Sequence, residues 1–255
     1  MPKILGFVPA RMAASRFPGK PLHPILGRPM LEHCFLRARM YSKFDHLAIC
    51  TCDEEIRAFA EKKGFPAIMT SDKHTRALDR VAEAAEKCGI PVADDDIVLN
   101  VQGDEPMMHP DMIEATVKPF LERPEVKGTL LAMDIVDEAQ YRNPDALKII
   151  HDLDGKVLYT SRSPIPYCKS FSPDLGAKRI YGIFAFRWSF LKLFTRLPES
   201  PLEKKEACDS NRLYDNGHHQ HIAPYPFRPS YSVDSPHDIG IVEAAMQDDP
   251  LWGKY

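Results

Sequence analysis

No apolar stretch in the sequence approaches membrane-spanning length, so no transmembrane helix is expected. The opening residues, MPKILGFVPAR, hold only a short apolar run that leads straight into a loop, and they do not read as a secretory signal. There is no CxxC pair. The six cysteines (Cys34, Cys50, Cys52, Cys88, Cys168 and Cys208) are scattered, which argues against a zinc site and fits free thiols in a reducing cytoplasm. Ten histidines form no metal motif either, and the close trio His218, His219 and His221 reads as a turn and a strand end. No long basic block is present: 33 Lys and Arg face 36 Asp and Glu, for a net charge of −3, so nothing points to nucleic acid. Neither the dinucleotide glycine pattern nor a Walker loop occurs, and no internal repeat, low-complexity segment or linker is visible. What remains is 255 residues, 44% hydrophobic and 27% charged, enough for one large α/β domain or a domain with a sizeable insertion.

The most informative stretch is the beginning. A short apolar run, Ile4 to Val8, ends at Pro9 and Ala10 and reads as a buried strand feeding a loop. Three cations, Arg11, Arg16 and Lys20, lie in that loop among residues with little side chain, Ala13, Ala14, Ser15 and Gly19. Close backbone approach and fixed cations together suit a polyphosphate. A solvated basic turn is the other reading of the same residues.

Further along, the spacing predicts a helix over Met30–Ala38, a strand over Leu47–Cys52, a helix over Glu54–Lys63 stopped by Gly64, a strand over Ala67–Thr70 and a helix running through Lys87. Such alternation argues for a doubly wound, mostly parallel α/β sheet flanked by helices, with ligands at the C-terminal ends of its strands. A buried strand over Asp96–Val101 ends in Gln102-Gly103-Asp104-Glu105-Pro106. A carboxylate just past such a strand, facing a phosphate loop, suits Mg²⁺, and a turn cap is its alternative role. After a helix over Asp111–Phe120 come a strand over Leu130–Val136 and a hairpin around Asp152–Gly155. A strand over Arg179–Phe186 follows, with Ile180, Gly182, Phe184 and Phe186 on one face, then an edge strand over His221–Pro226 and a last helix over Ile239–Met246. Asp234 stands before that helix, where capping is one role open to it.

PARMAASRFPGKPL followed by I-x-G-R-P-M resembles the opening of the CMP-sugar synthetases, most closely the 3-deoxy-manno-octulosonate (Kdo) cytidylyltransferases, and VLNVQGDEP, LYTSRSPIP and SVDSPHDI keep the family's order. The resemblance covers nearly the whole chain. It implies a nucleotide-diphospho-sugar transferase-like fold with a small acceptor and dimerisation subregion, and transfer of CMP from CTP with Mg²⁺. It implies a single domain over residues 1–255. Residues 1–127 would mainly bind nucleotide, 128–230 would mainly serve the acceptor and a homodimer contact, and 231–255 would be a closing helix that brings a metal ligand. Onto this sequence it carries Pro9, Ala10, Arg11, Ser15, Arg16, Lys20, His74 and Arg80 as CTP contacts. Lys20, Arg11 and Asp104 become the catalytic set, Asp104 and Asp234 the metal ligands, and Gln102 and Arg162 acceptor-side residues.

Departures from the family fall in two places. Arg76-Ala77-Leu78 replaces a Ser-Gly-Thr beside the nucleotide, which adds a cation and removes a hydroxyl. On the acceptor side Ile180 stands where the family has His, Phe184 where it has Tyr, and Asp209-Ser210 where it has Glu-Gln. Polar groups that read hydroxyls discriminate strongly, so their replacement predicts an acidic keto sugar other than standard Kdo. A phosphonate or phosphorylated small alcohol paired with Arg76 is an alternative acceptor, and a non-catalytic nucleotide-binding homologue is the alternative from another class.

Overall fold

The computed structural model describes residues 1–13 and 16–255, and the chain divides into two compact units. The first unit is discontinuous, Met1–Glu114 with Pro229–Tyr255, and the second is Ala115–Arg228.

In the first unit the order is β1 (Ile4–Pro9), α1 (Met30–Arg39), β2 (His46–Thr51), α2 (Glu54–Lys63), β3 (Ala67–Met69), α3 (Ala77–Lys87) and β4 (Ile97–Val101). The strands pair in parallel in the spatial order β4-β1-β2-β3, with Phe7 opposite both Asn100 and Ala48. All five residues of β4 are buried, which is why it reads as an apolar run interrupted only by Asn100. Helix α2 ends where Gly64 takes a left-handed conformation (φ 69°), a backbone state in which a side chain is strained. Parallel pairing puts the ends of β1, β2 and β4 on one edge, so the segments starting at Ala10, Cys52 and Gln102 leave the sheet together.

Helix α4 (Pro110–Glu122) carries the chain into the second unit. There β5 (Gly128–Asp134) is followed by α5 (Glu138–Arg142), β6 (Lys148–His151), β7 (Val157–Ser161), β8 (Lys178–Arg187), α6 (Trp188–Arg196), α7 (Pro201–Glu206), α8 (Asn211–Asp215) and β9 (His221–Tyr225). Strand β5 pairs antiparallel with β8 and parallel with β9, and β6 and β7 form the expected hairpin around Gly155. The single apolar face expected of β8 is not what forms. All of Arg179–Phe186 is buried, and the register against β5 shifts between Tyr181 and Phe184. The chain then returns to the first unit, where α9 (Asp238–Gln247) closes it. Among the described residues no helix is long and apolar enough to cross a membrane.

One buried ion pair organises the helices of the second unit. Arg212 donates to the Glu203 carboxylate from Nε at 2.9 Å and from a terminal nitrogen at 2.7 Å, and its guanidinium lies 4.1 Å from the Phe194 ring centre. Ser200 and Glu203 also cap α7 reciprocally. Removing one member of a buried pair leaves the other charge uncompensated. Glu203→Gln is therefore expected to cost about 3–5 kcal/mol in chemical denaturation. A loss below about 1 kcal/mol, the range of exposed pairs, would show that the pair is not a fixture of this unit.

Candidate active site

The first unit holds an open cavity of about 270 Å³ at the ends of its parallel strands. Its walls come from Pro9, Ala10 and Arg11 after β1, from Arg16, Lys20 and Pro21, from His74–Ala77 and Arg80, from Gln102–Asp104 after β4, and from Asp234. The first-loop, His74, Arg80 and Gln102 positions named from sequence thus line one cavity with both aspartates. Ser15, also expected at the phosphates, lies outside the described residues.

The loop after β1 is held by its own backbone and by β2's exit. The Gly19 N–H donates to the Met12 carbonyl at 2.9 Å, and the Met12 N–H donates to the Asp53 carboxylate at 2.8 Å. Gly19 is left-handed (φ 77°) and starts the turn that presents Lys20. Lys20 Nζ donates to the Asp104 carboxylate at 2.9 Å and to the Val233 carbonyl at 2.7 Å. Arg16 donates to the Asp234 carboxylate at 2.7 Å. The Val233 N–H donates to the Asp104 carbonyl at 3.0 Å, so the returning chain is fastened beside the end of β4. The Asp238 carboxylate accepts from the N–H groups of Asp234 and Ser235, which fixes the backbone just ahead of α9, and the Asp234 side chain lines the cavity.

Gly103 explains its own identity. A Cβ there would stand 2.6 Å from the Pro9 carbonyl oxygen, a backbone atom. Only glycine lets the ends of β1 and β4 approach this closely.

The opposite wall is built from α3. Arg80 is buried and donates to Thr70 Oγ1 and to the carbonyls of Ser71 and His74. His74 meets the Glu83 carboxylate through Nε2, and Glu83 also accepts from the Ser71 N–H and from Lys87. Burial alone would raise the Glu83 pKa, but the bonds from Lys87, the Ser71 N–H and His74 outweigh it and hold the carboxyl at about 2. His74 and Arg80, expected at the nucleotide, line the cavity and shape its loop, and Arg76 and Ala77 line it beside them. Leu78 is buried in the core, so the departure from the family at this position is absorbed by packing. Glu83 was not named from sequence; the signal was there, since Arg80, Glu83 and Lys87 recur at helical spacing on one face.

The remaining residues expected on the acceptor side lie in the second unit. The Arg162 guanidinium donates to the carbonyls of Glu206 and Pro144, and its N–H donates to the Glu206 carboxylate. Buried Lys148 donates to the carbonyls of Asn143, Ala146 and Arg162. Burial, and then the charge of Arg162, push its pKa down to about 8. Ile180 and Phe184 are nearly covered within β8, Asp209 is half-buried, and Ser210 is fully buried at the start of α8.

The chemistry of the two carboxylates fits a hard dication. Asp104 and Asp234 are each about one-third exposed, at 32% and 34%, and face the same cavity. Among the described residues no group of three or more His, Cys, Asp or Glu side chains gathers. A Mg²⁺ here would thus take its other oxygens from phosphate and water, its usual habit.

Two outcomes follow from this geometry. Gly103→Ala must displace the Pro9 backbone, and misplacements of about 1 Å cost on the order of 100-fold in rate. Turnover should fall by at least roughly tenfold with the melting temperature recorded in parallel, and unchanged turnover contradicts the close-approach reading. Glu83 has a depressed carboxyl pKa, so its contribution to stability is complete above its ordinary 4.5 and is lost as the pH falls towards about 2. Urea denaturation of wild type and Glu83→Gln should show the wild type losing more stability between neutral and acid pH. Equal losses would contradict the assigned bonds.

Comparison with known proteins identifies the family. Residues 5–222 match the sequence profile described as Cytidylyltransferase. A 3-deoxy-manno-octulosonate cytidylyltransferase from Nitratidesulfovibrio vulgaris strain Hildenborough is 42% identical over 243 residues, covering 93% of each chain. Another from Syntrophus aciditrophicus is 34% identical over 242 residues, covering 95% of this chain and 96% of its own. The solved structure of a CMP:2-keto-3-deoxy-manno-octonic acid synthetase complexed with CTP superposes with a TM-score of 0.84 at 31% identity, covering 96% of this chain and 99% of its own. Its fold is the mostly parallel, helix-flanked α/β arrangement expected from the sequence. With a profile spanning most of its length and relatives matched nearly end to end, the chain belongs to the cytidylyltransferase family.

Proposed function

We propose that this enzyme transfers CMP from CTP to an acidic keto sugar of the 3-deoxy-manno-octulosonate type and releases pyrophosphate. The observation that carries the reading is the convergence of Arg11, Arg16 and Lys20 with Asp104 and Asp234 in one cavity. The names of the relatives supply the acceptor class.

In this reading Arg11, Arg16 and Lys20 bind the triphosphate, and Pro9 and Ala10 give it a close backbone edge. Asp104 and Asp234 hold Mg²⁺. The metal, when bound, lowers the pKa of the acceptor hydroxyl and neutralises charge on the phosphates. The acceptor oxygen forms a bond to the α-phosphorus, the bond from that phosphorus to the bridging oxygen breaks, and the hydroxyl proton passes to solvent. Lys20 and Arg11 offset the charge that collects on the departing pyrophosphate. No covalent enzyme intermediate is required, because positioning and electrostatics supply the rate.

Within the first unit Gln102 is proposed to meet the acceptor, and within the second unit Arg162, Ile180, Phe184, Asp209 and Ser210 are the residues proposed for acceptor recognition. Isoleucine and phenylalanine cannot hydrogen-bond hydroxyls as His and Tyr do, so the preferred acceptor differs from standard Kdo in its hydroxyl pattern. The enzyme works in the cytoplasm, where its six unpaired thiols stay reduced. Exposed Leu158 and Tyr167 lie in the region after Gly155 that serves a homodimer in this reading.

The test is pyrophosphate release with CTP and Mg²⁺ across Kdo, related acidic keto sugars and phosphonates. Release with an acidic keto sugar is expected, together with a loss on the order of 100-fold or more in Asp104→Ala. Near-normal turnover in that variant would overturn the metal assignment. Release only with a phosphonate would overturn the acceptor class.

A further inference from the structure

The charges lining the cavity do not balance, and the imbalance has a direction. Five cationic side chains face it (Arg11, Arg16, Lys20, Arg76 and Arg80) against two carboxylates (Asp104 and Asp234). Five minus two leaves a net charge of about +3 among the described lining residues, with histidine neutral. Both carboxylates are engaged by cations, Asp104 by Lys20 at 2.9 Å and Asp234 by Arg16 at 2.7 Å. Val233, the chain neighbour of Asp234, is bonded to both members of the other pair: its carbonyl accepts from Lys20 and its N–H donates to the Asp104 carbonyl.

A dication entering this cavity meets potential of its own sign and must displace two cations at contact distance. A nucleoside triphosphate meets the opposite situation. It brings roughly four negative charges, enough to turn the cavity from net positive to slightly negative. Its oxygens also offer Arg16 and Lys20 new partners of the same kind as the carboxylates they leave.

We infer that the metal site is made by the nucleotide: Arg16 and Lys20 hold Asp234 and Asp104 closed in the ligand-free enzyme, and the triphosphate draws both cations away and opens the carboxylates to a divalent cation. The inference rests on the assignment of Asp104 and Asp234 as metal ligands. By linkage, nucleotide and metal each raise the other's affinity by the same factor. Arg16 thereby acquires a role besides phosphate binding, as the latch on Asp234. It also follows that removing a cation from this site creates metal affinity in the absence of nucleotide, the reverse of what loss of a phosphate-binding residue would do by itself.

The test uses Mn²⁺ as the probe, with its unbound fraction read by electron paramagnetic resonance, on the full ligand-free protein. The wild type is expected to bind Mn²⁺ weakly. Arg16→Gln and Lys20→Met should each tighten ligand-free Mn²⁺ binding by roughly tenfold or more, a change equivalent to one pair of about 1.4 kcal/mol. Adding Asp104→Asn to Lys20→Met should abolish the gain. The Arg16 side chain is 55% exposed, so its replacement leaves the fold intact even if Lys20→Met does not, and circular dichroism melts check both. Ligand-free wild type that binds Mn²⁺ as tightly as the variants overturns the inference. The same holds if neither variant gains affinity while wild type with CTP still forms a protein-bound Mn²⁺ complex. Absence of any protein-bound Mn²⁺ signal, with or without CTP, overturns the metal assignment and the inference with it.

Discussion

Lys20 holds the first unit's functional edge together. Its ammonium joins the end of β4, through Asp104, to the returning C-terminal segment, through Val233. Its side chain is only 12% exposed, so this contact sits largely out of water, where charge-assisted bonds are stronger than on an open surface. The surrounding backbone is arranged to make that contact possible. Gly19 turns the loop, Asp53 anchors Met12, and Gly103 admits the Pro9 carbonyl. A site assembled this way depends on three strand ends being parallel and adjacent, which is what a doubly wound sheet provides.

The wall opposite is a second structure with its own logic. Helix α3 does not simply present groups to the cavity; it uses Arg80 and Glu83 to fix the loop ahead of it. That division explains how Arg76-Ala77-Leu78 is accommodated. Leu78 turns into the core, while Arg76 and Ala77 face the cavity. The change therefore alters the lining of the cavity and leaves the scaffold around Thr70–His74 in place.

Much of this was legible in the sequence where the signals are local. The apolar run of β1, the Gly64 stop of α2 and the Asp152–Gly155 turn each sit in a few consecutive residues, and each formed as expected. Non-local features were not legible from pattern. Arg16 and Asp234 are 218 residues apart, and their pairing depends on the chain returning to the first unit. Strand β8 is buried on both faces with a register shift, so alternation gave no guide to its face. Helices α7 and α8 are short, and what stabilises them is the Glu203–Arg212 pair and a capping box, not an apolar stripe. Glu83 lay in plain view, but its role depends on a loop that only the fold brings above it.

The proposed reaction is attack of an acceptor oxygen on the α-phosphorus of CTP with displacement of pyrophosphate. The most direct measurement is phosphorus NMR of a single incubation with CTP, Mg²⁺ and an acidic keto sugar. The three CTP resonances are expected to fall together while one phosphodiester signal and pyrophosphate rise in equal amounts. Appearance of CDP with a phosphorylated acceptor, or of free CMP in place of the diester, would contradict it.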